Sequence, residues 1–476
     1  MVDVPENIHV LEPHLQEINR KYVSEDPKLL YNNDWILVKE TIVEYLKKDD
    51  VFRELFRQIS YQGSTYENLK IGPRNEYDIN IEMRLLAFYE LEVDVTSSNP
   101  GFAKIKVGRE KPKKPSERLK KSVEGWLIGD RYLCTSKILD WFKSVVDNAL
   151  TAMKESDRPD ISGITIVRRE SGPAITLYVD FNREFSTDLV LALPFTIDKM
   201  PDKQKKILQR ALEKSDEHVS KSIKSQVWYL VPKKPSISNI AEWRMSFYLY
   251  EKEIMNGFYW MKPVIKILKV MRDRRQWKQL SSYYIKTIFL WEMETNDHRF
   301  WSQNRISYIF FHMLYKLVEY LDTKAIEYYW DENCNLIKAL DNDFLFNVKC
   351  FLCKRIEKLT NSLIDEDYDT AIAEFNYMFR HERSVDNSEE ASNQSVRNTF
   401  VEGITSTFSD LVISGLSGGE ASGIRQESLG FGDIFSRFVS NIENTLTPWK
   451  KQGIEENEGL IEGLDNGYSR PVNDQA

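Results

Sequence analysis

The chain has 476 residues, of which 42% are hydrophobic and 12% aromatic, enough to build two or three lobes with a real core. No apolar run approaches the roughly 20 residues that a membrane-spanning helix needs, and the first residues lack the basic and apolar regions of a signal peptide. The four cysteines do not suggest a disulfide scaffold, which fits a reducing cytosol or nucleus, and of these we expect the cytoplasm.

The net charge of −8 is unevenly distributed along the chain. From residue 381 to the end there are 16 acidic and 7 basic side chains, so the remaining residues are close to neutral as a group. A near-neutral body that contains basic clusters is compatible with a nucleic-acid partner, despite the overall pI of 5.6. The acidic end is also rich in Ser, Gly and Asn, which predicts a mostly disordered tail with a short amphipathic helix at 430–449.

Hydrophobic periodicity predicts strands and helices in the first half of the chain and helices in the second. In chain order we predict a long amphipathic helix over 34–59, a Gly-Ser turn at 63–64, a strand over 76–88, a basic segment at 104–121, a helix over 132–153, a β-hairpin formed by 174–181 and 185–193, a strand over 225–232, and helices over 241–255, 260–275, 281–294 and 305–321.

This order of elements predicts an α+β protein with two folded lobes. The predicted parts are an N-terminal extension (1–19), a core with a mixed sheet and a long N-terminal helix (20–240), a helical lobe (241–380) and the acidic, mostly disordered tail (381–476).

The stretch "GSTYENLKIGPRNEYDIN" carries the first chemical signal. Glu76 and Asp78 alternate with Tyr77 and Ile79 on the predicted strand, so both acids project from one face. A solvated strand face is the simplest explanation of such alternation. The preceding Gly-Ser pair, however, offers backbone N–H groups and a hydroxyl of the kind that bind phosphate.

A third acid on the predicted hairpin adds to this pattern. Asp188 precedes the apolar run "LVLAL", where a carboxylate needs a partner, whereas Asp180 lies at the end of the hairpin, where a solvated acid is ordinary. Both remain candidates by pattern alone. Three convergent carboxylates beside a phosphate-binding turn are typical of nucleotidyl transfer with divalent metal ions.

Five blocks in the same order give the chain a family resemblance. The segments "GSTYENLKIGPRNEYDI", "AITLYVDFNREFSTDLVLAL", "VWYLVPK", "EWRMSFYLYEKEIM" and "LSSYYIKTIFLWE" resemble signatures of cyclic GMP–AMP synthase and the animal cGAS-like receptors. The resemblance covers roughly residues 20 to 380. It implies a bilobed nucleotidyltransferase fold and favours Asp188 over Asp180 as the third catalytic acid.

The resemblance also implies roles for individual residues. Gly63 and Ser64 would hold the donor triphosphate, and Glu76, Asp78 and Asp188 would bind two Mg²⁺ or Mn²⁺ ions. The remaining residues of the implied site are Arg244, Lys266, Lys269, Ser282 and Tyr283, which would contact bases and phosphates. Without the resemblance, Tyr283 would be a core aromatic, Arg244 a surface ion pair and the two lysines solvated.

The resemblance implies an enzyme that makes a cyclic dinucleotide from ATP and GTP by two successive transfers in one site. The product would act in innate immunity by binding a separate receptor. In cyclic GMP–AMP synthase a zinc-binding insertion with one His and three Cys follows the corresponding block, whereas the segment "NGFYWMKPVIKILKV" here contains neither residue, so the resemblance implies a chain without the zinc site. That feature resembles receptors that respond to double-stranded RNA, which we expect as the activator in preference to DNA.

Candidate duplex-binding segments are the long helix with Lys39, Lys47 and Lys48, residues 104–121 and residues 198–210, although such lysines also occur in solvated loops.

Two rival functions stay open. Some relatives keep the fold without its catalytic acids and act as scaffolds. Others are linear oligonucleotide synthases of the oligoadenylate synthase type.

Overall fold

The chain is described here by a computed structural model over residues 4–23, 33–72, 75–96, 98–171, 174–214, 227–232, 240–256 and 258–381. Residues Val4–Glu382 form one compact unit. Nearly all of the predicted acidic tail, with its helix at 430–449, lies outside the described residues.

The strands fall in the first half of the chain, except for one small hairpin. They are β1 Phe56–Gln62, β2 Glu76–Met83, β3 Tyr89–Asp94, β4 Phe102–Glu110, β5 Leu127–Ile128, β6 Tyr132–Leu133, β7 Thr165–Ser171, β8 Ala174–Phe181, β9 Arg183–Thr196, β10 Val227–Val231, β11 Glu242–Ser246, β12 Glu327–Tyr328 and β13 Asp331–Asn335.

Strands β1 to β11 join into one mixed sheet within the described part of the chain. Its main path runs β1-β2-β9-β10-β11-β4-β6-β5, with β8 and β7 extending it beyond β9 and with β3 beside β4. The long strand β9 makes this possible, because its first half pairs with β2 and β8 while its last residues pair with β10. The β2–β9 pair is parallel, and β9 pairs antiparallel with β8 and β10.

Helices surround the sheet and form the second half of the fold. The α-helices are α1 Glu12–Ile18, α2 Asn33–Leu46, α3 Asp50–Leu55, α4 Gly63–Tyr66, α5 Glu117–Trp126, α6 Thr135–Lys154, α7 Asp202–Lys214, α8 Tyr248–Met255, α9 Met261–Arg274, α10 Ser282–Thr295, α11 His298–Gln303, α12 Ile306–Asp322, α13 Asn342–Ile364 and α14 Tyr368–Met378. Short 3-10 helices occur at Glu6–Leu11, Leu85–Ala87, Pro159–Ile161 and Ile197–Lys199, and a π-helix at Asn19–Val23.

The expected α+β class, a mixed sheet followed by a helical lobe, is therefore confirmed. One hydrophobic core runs through both parts. Among the described residues, no helix is both long and apolar enough to cross a membrane.

The predicted helix over 34–59 is too long. Helix α2 ends at Leu46, and Asp49 caps the separate helix α3 by accepting a hydrogen bond of 2.7 Å from the backbone N–H of Phe52. The following residues form β1, which pairs antiparallel with β2. Sequence periodicity missed this strand because its partner begins 20 residues after Phe56, and pairing over that distance overrides local helix propensity.

The predicted helix over 241–255 is also partly wrong. Residues Glu242–Ser246 form strand β11, which lies between β10 and β4, and the helix begins only at Tyr248. Trp243 and Met245 are buried on one face of this strand, and the Trp243 indole N–H donates a hydrogen bond of 3.0 Å to the Leu133 carbonyl oxygen. The burial of these two side chains in the sheet therefore favours a strand over the predicted helix at Glu242–Ser246.

The predicted helix over 132–153 is confirmed from Thr135 onward, since α6 covers Thr135–Lys154. The basic segment 104–121 is mostly ordered secondary structure, because β4 and α5 contain most of it. The basic segment 198–210 falls largely on α7.

The N-terminal residues pack on the helical lobe. Leu11, in the 3-10 helix Glu6–Leu11, and Leu15, in α1, are fully buried. Both helices contact α12, and the 3-10 helix also contacts α13 and α14. The Glu12 carboxylate accepts a hydrogen bond of 3.1 Å from the backbone N–H of Ser307, at the start of α12. The N-terminal helices are thus part of the folded unit.

This packing predicts that Leu15→Ala lowers the free energy of unfolding by about 2–5 kcal/mol, because a fully buried leucine loses both its burial and its neighbours. Urea unfolding followed by circular dichroism measures the change. Gln16→Ala, at the exposed neighbouring position, is the matched control. Equal midpoints for the two variants would show that the N-terminal helix does not stabilise the unit.

Candidate active site

Gly63 lies where β1 ends and α4 begins, and two features of this position favour glycine. Its φ angle is +79°, and a Cβ atom built on it would lie 1.6 Å from Oδ2 of Asp78. The missing side chain therefore lets the Asp78 carboxylate lie directly against the turn. The Thr65 hydroxyl donates a hydrogen bond of 3.0 Å to the Glu76 carbonyl oxygen, which ties α4 to the start of β2.

The strand register brings two of the predicted acids together. Because β2 and β9 are parallel, Asp78 lies directly opposite Asp188, and Glu76 lies opposite Ser186. Tyr77 and Ile79 are buried on the other side of the sheet, as the alternation predicted. We call the side of the sheet that carries Glu76, Asp78 and Asp188 the acid face.

Asp180 does not share this position. It lies on β8 opposite Glu184, at the exposed end of the β8–β9 hairpin. Asp188, and not Asp180, therefore lies beside Asp78, while its role as the third catalytic acid stays a prediction.

The Asp78 carboxyl lies in an environment that opposes its ionisation. Burial, followed by the nearby charges of Asp188 and Glu76, raises the pKa of Asp78 to about 7, while the charge of Lys70 acts in the opposite direction. The Thr176 hydroxyl donates a hydrogen bond of 2.6 Å to Oδ1 of Asp188. A hydroxyl donor thus stabilises the Asp188 carboxylate, while the negative charges around Asp78 outweigh the positive charge of Lys70.

Lys70 is the cation that the structure places near these acids. Its ammonium group contacts the exposed carboxylate of Glu76, so Glu76 is engaged with the chain itself. In this arrangement no group of three His, Cys, Asp or Glu side chains among the described residues is disposed to hold a metal ion. Asp78 and Asp188 nevertheless fit a divalent cation, because they are adjacent oxygen donors with unbalanced negative charge.

The predicted lysines of the helical lobe reach the segment that follows α4. Lys266 donates a hydrogen bond of 3.3 Å to Oδ1 of Asn68, and Lys269 donates to the Leu69 carbonyl oxygen. Both lysines are about 95% buried, so the alternative that they are solvated is wrong. Burial, followed by the charge of Arg272, lowers the pKa of Lys269 to about 8.

A buried ionic cluster completes this contact, and the sequence did not reveal it. Lys286 of α10 pairs with Glu67, at the end of α4, and with Oε2 of Glu251 on α8 at 2.7 Å. Burial lowers the pKa of Lys286, but the charges of Glu251 and Glu67 outweigh that effect and raise it to about 12. The only sequence signal was a set of charged residues at positions where apolar ones would be expected in a buried helix.

Tyr283 joins the same cluster. Its hydroxyl donates a hydrogen bond of 3.0 Å to Oε1 of Glu251, and the indole N–H of Trp330 donates to the same oxygen at 2.9 Å. Ser282 is the first residue of α10, so it lies beside Tyr283. The predicted base-stacking tyrosine is therefore held at its hydroxyl end, while its ring remains half-buried.

Arg244 on β11 is held by aromatic and sulfur groups. Its guanidinium lies 4.0 Å from the ring centroid of Tyr328 and donates a hydrogen bond of 3.6 Å to Sγ of Cys334. The alternative of a surface ion pair is therefore wrong for this residue. The Tyr328 ring also lies 6.4 Å from the ring of Tyr283, so Arg244 and Tyr283 flank the same aromatic side chain.

Two of the three predicted duplex-binding segments lie side by side. Helix α3, just beyond Lys47 and Lys48, packs against α5, and Arg118 of α5 pairs with Asp50 of α3. Lys39 is instead largely enclosed, because its ammonium contacts the Tyr61 hydroxyl at 3.1 Å. The third segment lies on α7, which packs against α8 and α10. We call the surface formed by Lys47, Lys48, α3 and α5 the basic patch.

Comparison with known proteins adds an independent line of evidence. Residues 65–257 match the family model of the Mab-21 protein nucleotidyltransferase domain, and residues 260–352 match that of the Mab-21 protein HhH/H2TH-like domain. The two matches correspond to the sheet with its carboxylates and to the helical lobe that packs against it.

Several curated relatives are named cyclic GMP-AMP synthase-like receptor. One from Aethina tumida is 31% identical over 362 residues, which are 72% of this chain and 86% of the relative. One from Trichogramma pretiosum is 29% identical and covers 78% of each chain. One from Microplitis demolitor is 31% identical over 71% of this chain and 63% of the relative.

The electrostatics of Asp78 predict an unusual effect of its neutralisation. Since its folded-state pKa of about 7 lies above the unfolded value of 3.8, the free energy of unfolding falls as the pH rises from about 4 to about 7. At pH 8 without divalent ions, Asp78→Asn should therefore raise the free energy of unfolding by up to about 4 kcal/mol, and the melting temperature should rise with it. Thermal melts in a chelating buffer at pH 5 and pH 8 measure this.

The stabilisation by Asp78→Asn should be smaller at pH 5, where Asp78 of the wild type is protonated in the folded state. Asp180→Asn, at the exposed hairpin end, is the control and should leave both melts unchanged. A lower melting temperature for Asp78→Asn at pH 8 would contradict this picture of the site.

The buried cluster predicts that Lys286→Met lowers the free energy of unfolding by about 3–5 kcal/mol, because Glu67 and Glu251 would then be buried without their cation. Urea unfolding measures the loss. The control is Lys358→Met, which removes a half-exposed partner of Glu374 and should cost less than about 1 kcal/mol. A loss equal to that of the control would mean that Lys286 does not hold the two acids.

Proposed function

This chain belongs to the family of cyclic GMP-AMP synthase-like receptors, and on that basis we propose that it is a nucleic-acid-activated synthase of a cyclic dinucleotide. One structural observation carries the proposal. Asp78 and Asp188 lie directly opposite each other on parallel strands, and the Gly63 turn lies against Asp78. A phosphate-accommodating turn next to paired carboxylates suits transfer of a nucleotidyl group.

Two Mg²⁺ or Mn²⁺ ions would be held by Asp78, Asp188 and Glu76. Such ions, when bound, would activate an attacking ribose hydroxyl and neutralise the leaving pyrophosphate. Glu76 would have to exchange its contact with Lys70 for the ions. The raised pKa of Asp78 supports this assignment, because a divalent cation would supply the missing positive charge.

Nucleotides would bind between the acid face and the helical lobe. Gly63 and Ser64 would hold the donor triphosphate, and the nearby Lys266 and Lys269 would supply positive charge to it. Tyr283 would stack on a base while Glu251 holds its hydroxyl, with Ser282 and Arg244 as further nucleotide contacts. The buried position of both lysines beside residues 68–69 supports this arrangement.

The reaction would use the site twice, with ATP and GTP as substrates. In each step a ribose hydroxyl oxygen forms a bond to the α-phosphorus of the donor, the bond to the pyrophosphate breaks, and the hydroxyl proton is released. The first step gives a linear dinucleotide and the second closes the ring. The product would act in innate immune signalling through a separate receptor in the cytoplasm.

Double-stranded RNA is the proposed activator, and the basic patch is its proposed binding surface. The patch carries basic residues on α5 and directly after α2, a distribution that suits recognition of a duplex by its phosphates. The Lys70–Glu76 contact lies in the segment between the Gly-Ser turn and the acids. Activation would shift this segment so that Glu76 turns towards the ions.

An assay with the full chain tests the proposal. The protein is incubated with four labelled nucleoside triphosphates and Mg²⁺ or Mn²⁺, with or without long double-stranded RNA or DNA, and the products are then treated with phosphatase. We expect a phosphatase-resistant dinucleotide that depends on duplex RNA. Asp188→Asn should abolish the product and leave duplex binding intact, whereas Asp180→Asn should remain active.

The other outcomes identify the alternatives. Linear oligomers would indicate a synthase of the oligoadenylate type, and no product with any ligand would favour a scaffold. Loss of activity in Asp180→Asn but not in Asp188→Asn would overturn the assignment of the third carboxylate.

A further inference from the structure

Asn80 is a buried amide that follows Asp78 along the acid face. It is the next side chain of β2 on that face, because alternate residues of a strand point to the same side. Asn80 is completely buried, and within the described part of the chain neither atom of its amide is in hydrogen-bond contact with a partner. A buried amide without partners destabilises the folded state, so a residue of this kind is expected to bind water or to serve a functional site.

Two hydroxyl groups lie beside this amide. Ser60 on β1 is directly opposite Asn80, and the hydroxyl of Tyr248, the first residue of α8, donates a hydrogen bond of 3.0 Å to Ser60 Oγ. The same hydroxyl lies near the Asn80 amide, outside hydrogen-bond geometry. On the other side of Asn80, the opposite residue on β9 is the apolar Val190. We call Ser60, Asn80 and Tyr248 the polar trio.

Glu82, the acid-face residue that follows Asn80 on β2, already has its donors. The Tyr229 hydroxyl donates a hydrogen bond of 2.7 Å to its Oε1, and Gln58 Nε2 donates one of 3.0 Å to its Oε2. The other polar neighbour of Asn80 along this face of β2 is Asp78.

Asp78 lacks the donor that its partner acid has. The Thr176 hydroxyl donates to Asp188, whereas the described part of the chain makes no hydrogen bond to the Asp78 carboxylate. Residues two apart on a strand are about 7 Å apart. One water molecule can bridge an amide and a carboxylate at this separation. Asn80 is therefore placed to do for Asp78 what Thr176 does for Asp188.

We propose that Asn80 is a positioning residue for the metal-binding carboxylate of Asp78, an inference that rests on the proposed function. Its amide N–H donates to Asp78 through one bound water, and its carbonyl oxygen accepts a hydrogen bond from Ser60. The Ser60 hydroxyl has a proton to donate, because Tyr248 already donates to its oxygen. These hydrogen bonds, strengthened by burial, hold the ionised carboxylate in one orientation for the cations.

Thr187 provides a matched control on the neighbouring strand. It is 3% exposed, and its hydroxyl likewise has no hydrogen-bond partner in the described part of the chain. Thr187 precedes Asp188 and lies opposite Tyr77, on the side of the sheet away from the acid face. Thr187→Val and Asn80→Leu therefore both replace a buried, unpartnered polar group with an apolar one, but only the second changes the acid face.

Titration of the full chain with Mn²⁺ at pH 8 tests the inference without catalysis, with the free ion counted by electron paramagnetic resonance. In Asn80→Leu we expect the Kd for Mn²⁺ to rise about 10-fold, the effect of losing a hydrogen bond to a charged group. Thr187→Val should change this Kd less than twofold. Melting temperatures measured without divalent ions show that each variant is folded.

Two further variants show whether the effect passes through Asp78. Tyr248→Phe keeps the ring that stacks on Tyr229 and should raise the Kd about threefold. In the Asp78→Asn background, Asn80→Leu should change the residual Kd less than twofold, because the carboxylate it positions is gone. If Asn80→Leu does not fold, Tyr248→Phe decides the outcome alone.

Activity with duplex RNA, ATP and GTP gives the corresponding kinetic result. The Mn²⁺ concentration for half-maximal rate should rise by the same factor in Asn80→Leu, while the KM of each nucleotide changes less than twofold. A wild type that makes no product, but whose Mn²⁺ affinity falls in both Asp78→Asn and Asn80→Leu, would overturn the proposed function and keep the inference.

Three results overturn the inference itself. The first is an equal Kd for Mn²⁺ in Asn80→Leu and Thr187→Val. The second is a loss of affinity by Asn80→Leu that is as large in the Asp78→Asn background as in the wild type. The third is a wild type whose Mn²⁺ affinity does not depend on Asp78, which would overturn the proposed metal site as well.

Discussion

The parallel pairing of β2 with β9 is the constraint on which the rest of the site depends. It places Asp78 opposite Asp188, half-buried, in a position where two negative charges repel each other. An arrangement of this kind lowers the stability of the folded state, and such a cost is typical of functional sites. Two neighbouring residues accommodate these carboxylates. Gly63 leaves room for Asp78, and the Thr176 hydroxyl donates a hydrogen bond to Asp188.

The helical lobe contacts the turn beside this site through one short segment. Residues 67–69 receive Lys286, Lys266 and Lys269 from two helices of that lobe. The segment begins three residues after Ser64, so any movement of the lobes relative to each other would also move the Gly-Ser turn. The same lysines that are proposed to bind phosphates thus already hold the turn in position.

Local sequence patterns were sufficient for some of these features and insufficient for others. The alternation of Tyr77 and Ile79 with two acids predicted the faces of β2, and the "LVLAL" run correctly indicated that Asp188 begins a buried stretch. Strands β1 and β11 were missed because local periodicity does not reveal pairing, which joins β1 to β2 over about 20 residues and joins β11 both to β10 and, over about 140 residues, to β4. The cluster around Lys286 was missed because three separate elements must meet before its charges become a unit.

The contact between Lys70 and Glu76 has a consequence for the proposed activation of this site. Glu76 is largely exposed, and an exposed ion pair contributes at most about 1 kcal/mol, which changes a population only about fivefold. Keeping 99 of 100 molecules silent requires a bias of roughly 3 kcal/mol. A counter-ion of this strength could not by itself hold the proposed synthase inactive, so in that proposal most of the restraint would come from the buried attachments of residues 67–69.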